Sequence, residues 1–405
     1  MKILYIHQHF ATNRGSTGTR SYDYARYLVE RGHQVHMLTG EHARAGFDTA
    51  SLPGRFLARL QVDGIDVLVV RVPYANQMGA ASRLLSFATF AAVSSAAAVL
   101  SDADVTFATS TPLTVGVPAL VARFLRGRPY AFEVRDIWPE MLVNAGLLKN
   151  RAVIATATFA EETFYRFARR VVGISRGISD RLAERGVPRD KLRVLYTGVD
   201  LSLYEGVEPN REILRSLGLE GRFVAVYAGA HSFANDLTYV LDAAEALAGD
   251  PRVAFLLVGD GRDRDALMAD AARRGLANVV FLPALPKTEL VALLKACDAG
   301  LMILKDVPDF VAAMPNKFYD YLAAGLPVVV NFPGELAGHL GEHDCGVEVP
   351  AGDPAALGRA LLALASTPEA ERSARSRRAR GLVEARFDRR ALVDDLEQLL
   401  RETCA

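Results

Sequence analysis

The chain is predicted to fold as an α/β protein with two doubly wound domains, each a parallel sheet covered by helices. Short buried-type runs of Val, Ile and Leu alternate with longer stretches of helical spacing along the whole chain, the pattern of parallel sheets. Several of these runs end in glycine-bearing turns, where doubly wound sheets hold their ligands. The length of 405 residues, half of them hydrophobic, provides for a large core and more than one domain.

The first strand is read at Lys2 to Ile6, followed by a loop with Arg14, Gly15, Ser16, Thr17, Gly18 and Thr19, then a helix from Ser21 to Arg31. This strand, glycine loop, helix order opens a doubly wound sheet, so Gly15, Ser16, Gly18 and Thr19 are candidates to face a ligand, with a simple flexible turn as the alternative. Gly15 and Gly18 alone do not make a dinucleotide fingerprint. Further strands are expected at Val35 to Leu38, Val67 to Val72, Val105 to Ala108 and Tyr130 to Val134. Between them, Leu84 to Leu100 has 17 residues without a charge but is rich in Ala and Ser, which favours a buried helix over a membrane span, with a helix partly dipped into the membrane surface as the alternative.

After the Val105 strand, the hydroxyls of Ser110 and Thr111 are placed either to hydrogen-bond a sugar or to cap the next helix. Glu133 to Glu140 then concentrates four charges and the sole Trp at a strand end, which is costly unless the charges pair or work. Asp136 is the candidate acid/base or sugar-orienting group. Arg135 can donate to a hydroxyl or carboxylate but cannot act as a base, and an Arg135–Asp136 ion pair is the structural alternative. From Ala152 to Arg170, Phe159, Phe164, Tyr165 and Phe167 are interleaved with arginines, which reads as core packing with a basic face or as a membrane-surface contact. Strands at Val171 to Ile174 and Leu192 to Tyr196 close the first domain.

A second sheet begins with Phe223 to Tyr227 and continues with Phe255 to Val258, Val279 to Leu282, Leu301 to Asp306 and Val328 to Val330. The second of these runs into Gly259-Asp260-Gly261-Arg262, whose arginine is a phosphate candidate; the fourth brings Lys305 to the ligand end. Asp263 and Asp265 spell an acid, any residue, acid pattern but suit the first turn of a helix, so no metal is expected. The segment Met314 to Pro327 reads as a helix started at Pro315 and Asn316 and ended by Gly325 and Pro327. Its first-turn N–H groups and Lys317 favour an anion such as phosphate, and Asp320, one turn on, can accept from a pair of sugar hydroxyls. Helical patterns at Pro354 to Ala365, Glu369 to Ala385 and Arg390 to Arg401 complete the chain.

The string PNKFYDYLAAGLPVVV from Pro315 resembles the donor-binding signature of the retaining glycosyltransferases of family 4, which have the two-domain GT-B fold. Residues 133–140, EVRDIWPE, resemble a string of bacterial surface-polysaccharide and aminosugar transferases in that family. The resemblance runs from Met1 to about Arg401. It implies two Rossmann-like domains facing a cleft: an acceptor-binding domain over 1–200, a nucleotide-sugar-binding domain over 201–385, and a last helix over 386–405 crossing back to the first. Tyr196 to Asp200 resembles the family's hinge, with Thr197 for Asn. The resemblance also implies donor contacts at Gly229, Gly259 and Gly261. Asp320 takes the place of the family's ribose-binding Glu, while Ala312 replaces its companion Glu. Ala230 and Asn235 stand where the family keeps an Arg and a Lys on the diphosphate, leaving Lys317, Lys305, His231 and backbone N–H groups to hold it; Arg135 stands where many members have a His.

Basic and acidic residues balance at 47 each, so net charge gives no reason to expect a nucleic-acid partner. The halves differ, with 25 basic and 17 acidic residues over 1–200 against 22 and 30 over 201–405. The basic half suits an anionic acceptor, an anionic lipid surface or the acidic half of the same chain. Three cysteines without metal-ligand spacing, and a start that runs directly into a strand, lead to an expectation of a cytoplasmic protein, peripheral at the inner membrane face if membrane-bound. The expected activity is transfer of a sugar from a nucleoside diphosphate sugar, a UDP-sugar favoured, to a glycan, lipid-linked or small-molecule acceptor, catalysed through Lys317, Asp136 and Arg135 without a cofactor. An epimerase or hydrolase of nucleotide sugars and an inactive partner subunit are the alternatives.

Overall fold

A computed structural model describes the chain except residues 16–17, 43–44, 50–55, 73–78, 145 and 313, and the side chains of 80, 81, 83 and 309. It forms two compact units, Met1–Thr197 with Arg389–Ala405, and Gly198–Asp388.

The first unit is built on eight strands: β1 (Lys2–Ile6), β2 (Gln34–Gly40), β3 (Leu57–Val62), β4 (Ile65–Val70), β5 (Val105–Thr109), β6 (Tyr130–Val134), β7 (Arg170–Gly173) and β8 (Leu192–Val194). They lie in the order β3-β4-β2-β1-β5-β6-β7-β8. All neighbours are parallel except β3, which pairs antiparallel with β4 from Leu57 opposite Val70 to Val62 opposite Ile65. Sequence reading placed one strand here, not two. Asp63 and Gly64, both at positive φ, make the tight turn that joins them, and β3 shows alternating exposure because it forms the sheet edge. The helices are α1 (Arg20–Glu30), α2 (Ala80–Leu100), α3 (Gly116–Arg126), α4 (Glu140–Asn144), α5 (Arg151–Phe167) and α6 (Arg176–Glu184). Side-chain caps set two of the starts: Asn150 accepts from the N–H groups of Ala152 and Val153, and Ser175 from Ile178. The apolar segment from Leu84 is α2. Its Phe90, Ser94 and Ala98 are buried while Leu84, Leu85 and Leu100 are exposed, and no helix among the described residues is long and apolar enough to cross a membrane.

The second unit holds a wholly parallel sheet: β9 (Phe223–Ala228), β10 (Val253–Val258), β11 (Val279–Leu282), β12 (Ala299–Met302), β13 (Val328–Val330) and β14 (Gly346–Glu348), ordered β11-β10-β9-β12-β13-β14. Its helices are α7 (Arg211–Ser216), α8 (Leu237–Ala246), α9 (Arg264–Arg273), α10 (Lys287–Leu294), α11 (Asn316–Ala323), α12 (Glu335–Glu342), α13 (Pro354–Ala365) and α14 (Glu369–Arg386). The strand expected to reach Asp306 stops at Met302. Beyond it the Asn331 side chain takes over the ladder, accepting from the N–H of Leu304 at 2.9 Å and donating to its carbonyl at 2.8 Å.

The last helix, α15 (Arg389–Cys404), packs on α1 within the first unit. Its Leu392, Val393, Leu396 and Leu400 share one core with Ile3, Tyr5, Tyr24 and Phe107. Arg389, only 5% exposed, pairs with Asp23 and donates to the Thr197 carbonyl at 3.0 Å.

Candidate functional site

In the second unit the carboxyl ends of β9 and β10 turn through stacked glycines. A Cβ on Gly259 would lie 1.9 Å from the Gly229 carbonyl oxygen, and one on Gly261 would lie 2.3 Å from that of His231, so only glycine allows the two turns this approach. Lys317, in the first turn of α11, reaches the same turns: its Cε would lie 3.5 Å from a Cβ on Gly229. The ammonium donates to the Asn235 amide oxygen at 2.7 Å and the Tyr227 hydroxyl at 3.1 Å, and stands 4.2 Å from the centre of the Tyr227 ring. Among the described residues no carboxylate pairs with it, and loss of hydration lowers its pKa from 10.5 to about 7. An unpaired cation beside glycine turns and a helix start is a site prepared for an anion. Asn235 donates in turn to the Ala230 carbonyl and the Ser232 hydroxyl, each at 3.0 Å, which fixes the amide oxygen toward Lys317. Pro315 caps α11 in an extended conformation, and Asn316 and Lys317 supply its first-turn N–H groups.

One turn along α11, Asp320 is paired. Its Oδ1 receives the Lys287 ammonium and, at 3.0 Å, the Tyr204 hydroxyl. The Lys287 and Asp320 side chains are 13% and 14% exposed. Sequence reading missed Lys287 and Tyr204, since both lie far from Asp320 in the chain and neither sits in a motif.

Three other expected donor contacts differ from that grouping. His231 is fully buried with neither ring nitrogen hydrogen-bonded, and burial lowers its pKa to about 4, aided by Arg264. The ring packs between Tyr227 and Phe281. Arg262 is 77% exposed and bonded to its neighbour Asp263. Lys305 stands over the Phe233 ring at 3.9 Å. No hydrogen bond or ion pair joins Arg262 or Lys305 to Lys317.

In the first unit the hydroxyls of Ser110 and Thr111 reach the end of β6. The Ser110 hydroxyl accepts from the Arg135 N–H at 3.2 Å, and Thr111 donates to Asp136 Oδ2 at 3.1 Å. The capping role expected as the alternative is not found: Pro112 occupies the cap of the following short turn, which has no side-chain cap bond. Asp136 and Arg135 do not pair. Glu133 is fully buried and takes Arg20 Nη1 at 2.6 Å, and Glu140 receives Arg181 at 2.5 Å. Among the described residues the Arg135 guanidinium has no carboxylate partner, and its pKa is lowered by burial and by Arg20. Just after β1, His9 is held at about 4 by burial and by His42 and Arg135. His9 and His42 were not picked out from sequence, where they lie in an unpatterned loop.

The glycine loop before α1 is only partly as expected. Thr19 is 5% exposed and its hydroxyl donates to Asp23 at 2.9 Å, so it is tied into the Arg389 pair rather than offered to a phosphate. Gly15 is buried, its N–H bonded to the Thr12 carbonyl, while Gly18 is exposed. Ser16 lies outside the described residues. No group of three or more His, Cys, Asp or Glu side chains able to hold a metal occurs among the described residues. Asp263 and Asp265 sit at the start of α9.

The two parallel-sheet units have the GT-B architecture, and each carries a match to a glycosyltransferase family model. Residues 15–198 match the family described as glycosyl transferase 4-like domain, and residues 222–367 the family glycosyl transferases group 1. Among relatives, the chain is 25% identical to Probable glycosyltransferase WbjE of Pseudomonas aeruginosa over 64% of its own length and 65% of that protein's, just under two thirds. It is 28% identical to 2-deoxystreptamine N-acetyl-D-glucosaminyltransferase of Streptomyces fradiae over 81% of its length and 80% of that protein's. Among solved structures, Anabaena Alr3699/HepE in complex with UDP-glucose superposes with a TM-score of 0.74 at 22% identity, covering 99% of both chains.

Proposed function

We propose that the protein transfers a hexose-type sugar from a nucleoside diphosphate sugar, UDP-linked in the favoured case, to a hydroxyl acceptor with retention at the anomeric carbon. The observation that carries this reading is the Lys317 ammonium at the start of α11, turned to the Gly229 turn and without a carboxylate partner among the described residues. Support comes from HepE, a structural neighbour solved with UDP-glucose, and from a relative named as an N-acetylglucosaminyltransferase.

In the reaction the bond between the anomeric carbon and the diphosphate oxygen breaks. A bond to the acceptor oxygen forms on the same face of the sugar, and the acceptor's proton passes to the departing diphosphate. Lys317, the first-turn N–H groups of α11 and the glycine turns stabilise the charge that grows on the leaving group. Asp320, held by Lys287 and Tyr204, accepts from the ribose hydroxyls. In the first unit Asp136, Arg135 and Thr111 orient sugar hydroxyls. These cations and N–H groups meet the diphosphate charge, so the reading requires no metal. The acceptor is a glycan, a lipid-linked sugar or a small molecule, and where it is lipid-linked the reading includes peripheral contact with a membrane through the basic N-terminal half.

Incubation with UDP-glucose and a panel of sugar acceptors, followed by NMR of the product, tests this. A new α-linked product from the α-linked donor is expected. Donor consumed equally fast without any acceptor would instead establish the hydrolase or epimerase reading.

A further inference from the structure

Half of the large hydrophobic side chains exposed among the described residues fall between residues 124 and 167. Four of them belong to the end of α3 and the outer face of α5: Phe124 is 61% exposed, Leu125 67%, Phe159 72% and Phe167 38%. The Phe124 and Phe167 rings meet edge to face at 4.8 Å, so the two helices share one apolar surface rather than scattered exposed residues. α5 is otherwise anchored, with Phe164 and Tyr165 buried against the sheet through Phe132.

The same surface is basic. Arg123, Arg126, Arg166 and Arg169 are all exposed and none has a carboxylate partner among the described residues. Arg166 lies 5.7 Å from the centre of the Phe167 ring, and Arg123 bonds the Gly127 carbonyl at the end of α3 at 3.0 Å. Glu162 is the one acid exposed on the outer face of α5. Exposed aromatic rings cost free energy in water, and unpaired arginines interleaved with them select a surface that is apolar below and anionic above.

We propose that this face, the end of α3 with the outer side of α5, docks the protein on an anionic lipid bilayer, the rings entering the headgroup boundary and the arginines pairing with lipid phosphates. The inference rests on the transferase reading only for its purpose, which is to hold the enzyme where a lipid-linked acceptor is presented. The contact is peripheral, and the overall charge balance means that the attraction is local to this face and sensitive to salt.

The test is co-sedimentation of the full chain with phosphatidylcholine vesicles and with vesicles of equal parts phosphatidylcholine and phosphatidylglycerol, in the absence of nucleotide and acceptor. The wild type should pellet with the anionic vesicles, weakly with the neutral ones, and less as salt rises. The pairs Phe124→Asp with Phe159→Asp, and Arg126→Glu with Arg166→Glu, should each lower binding about tenfold or more. Because all four side chains are exposed, the variants should keep the wild-type unfolding midpoint, and the arginine pair provides a second reading should the aromatic pair misfold. Wild type that stays in solution, or variants that pellet as well as wild type, would overturn the proposal. So would light scattering that shows a wild-type dimer split by the phenylalanine variants, which would make the face a contact between two copies. Vesicle binding is read without chemistry, so its failure leaves the transferase reading standing; absent transfer alongside intact binding does the reverse.

Discussion

Lys317 carries its charge to a partly buried position where its hydrogen-bond partners are neutral, the Tyr227 hydroxyl and the Asn235 amide. A charge without a counter-charge destabilises the empty protein, and the lowered pKa records that cost. Between about pH 7, the folded value, and 10.5, the ordinary one, the unfolded chain binds a proton that the folded chain does not. Stability therefore rises with pH across that window, and the penalty is fully present below it. Lys317→Met should accordingly raise stability by roughly 1–3 kcal/mol at pH 6 and by less at pH 9, measured by urea unfolding at both values. A variant less stable than wild type at pH 6 would contradict the unpaired-cation reading. The residue types were legible in the sequence, but their partners were not. Asn235 lies 82 residues from Lys317, Lys287 lies 33 from Asp320, and Arg20 lies 113 from Glu133. Only the sheet order brings these pairs together. The burial of His231 could not be read from its neighbours in the chain either.

At the level of single elements, the strand, turn, helix units were legible because parallel strands buried on both faces are continuous apolar runs. The β3–β4 hairpin was not, since β3 is an exposed edge strand with no such run, although Asp63-Gly64 is a hairpin signal in its own right. The turn after β10 shows what the glycine spacing meant physically. Its Gly259 has φ of 148° and no room for a Cβ beside the Gly229 carbonyl. Gly259→Ala must push the two turns apart, so it should cost about 2 kcal/mol or more and abolish nucleotide-induced stabilisation. Both are read from unfolding with and without UDP; a variant that unfolds and responds as wild type does would show that the turns can separate freely.

At the scale of the whole molecule, the proposed reaction divides its chemistry between the two units. The described groups suited to a diphosphate gather at the carboxyl ends of the second sheet, and Arg135, Asp136 and the neighbouring hydroxyls at those of the first. The sheet class was legible throughout the chain. How α15 completes the first core was not read from residues 390–401, because an amphipathic spacing names a buried face without naming what covers it. The most direct test is thermal unfolding of wild type and Lys317→Met with UDP, GDP, dTDP and ADP, each with and without magnesium. A nucleoside diphosphate near 100 times its Kd should add about 2.7 kcal/mol of stability to the wild type, a rise of a few degrees, without magnesium and much less to the variant. No rise with any of the four nucleotides, or an equal rise in the variant, would contradict a donor site built on Lys317.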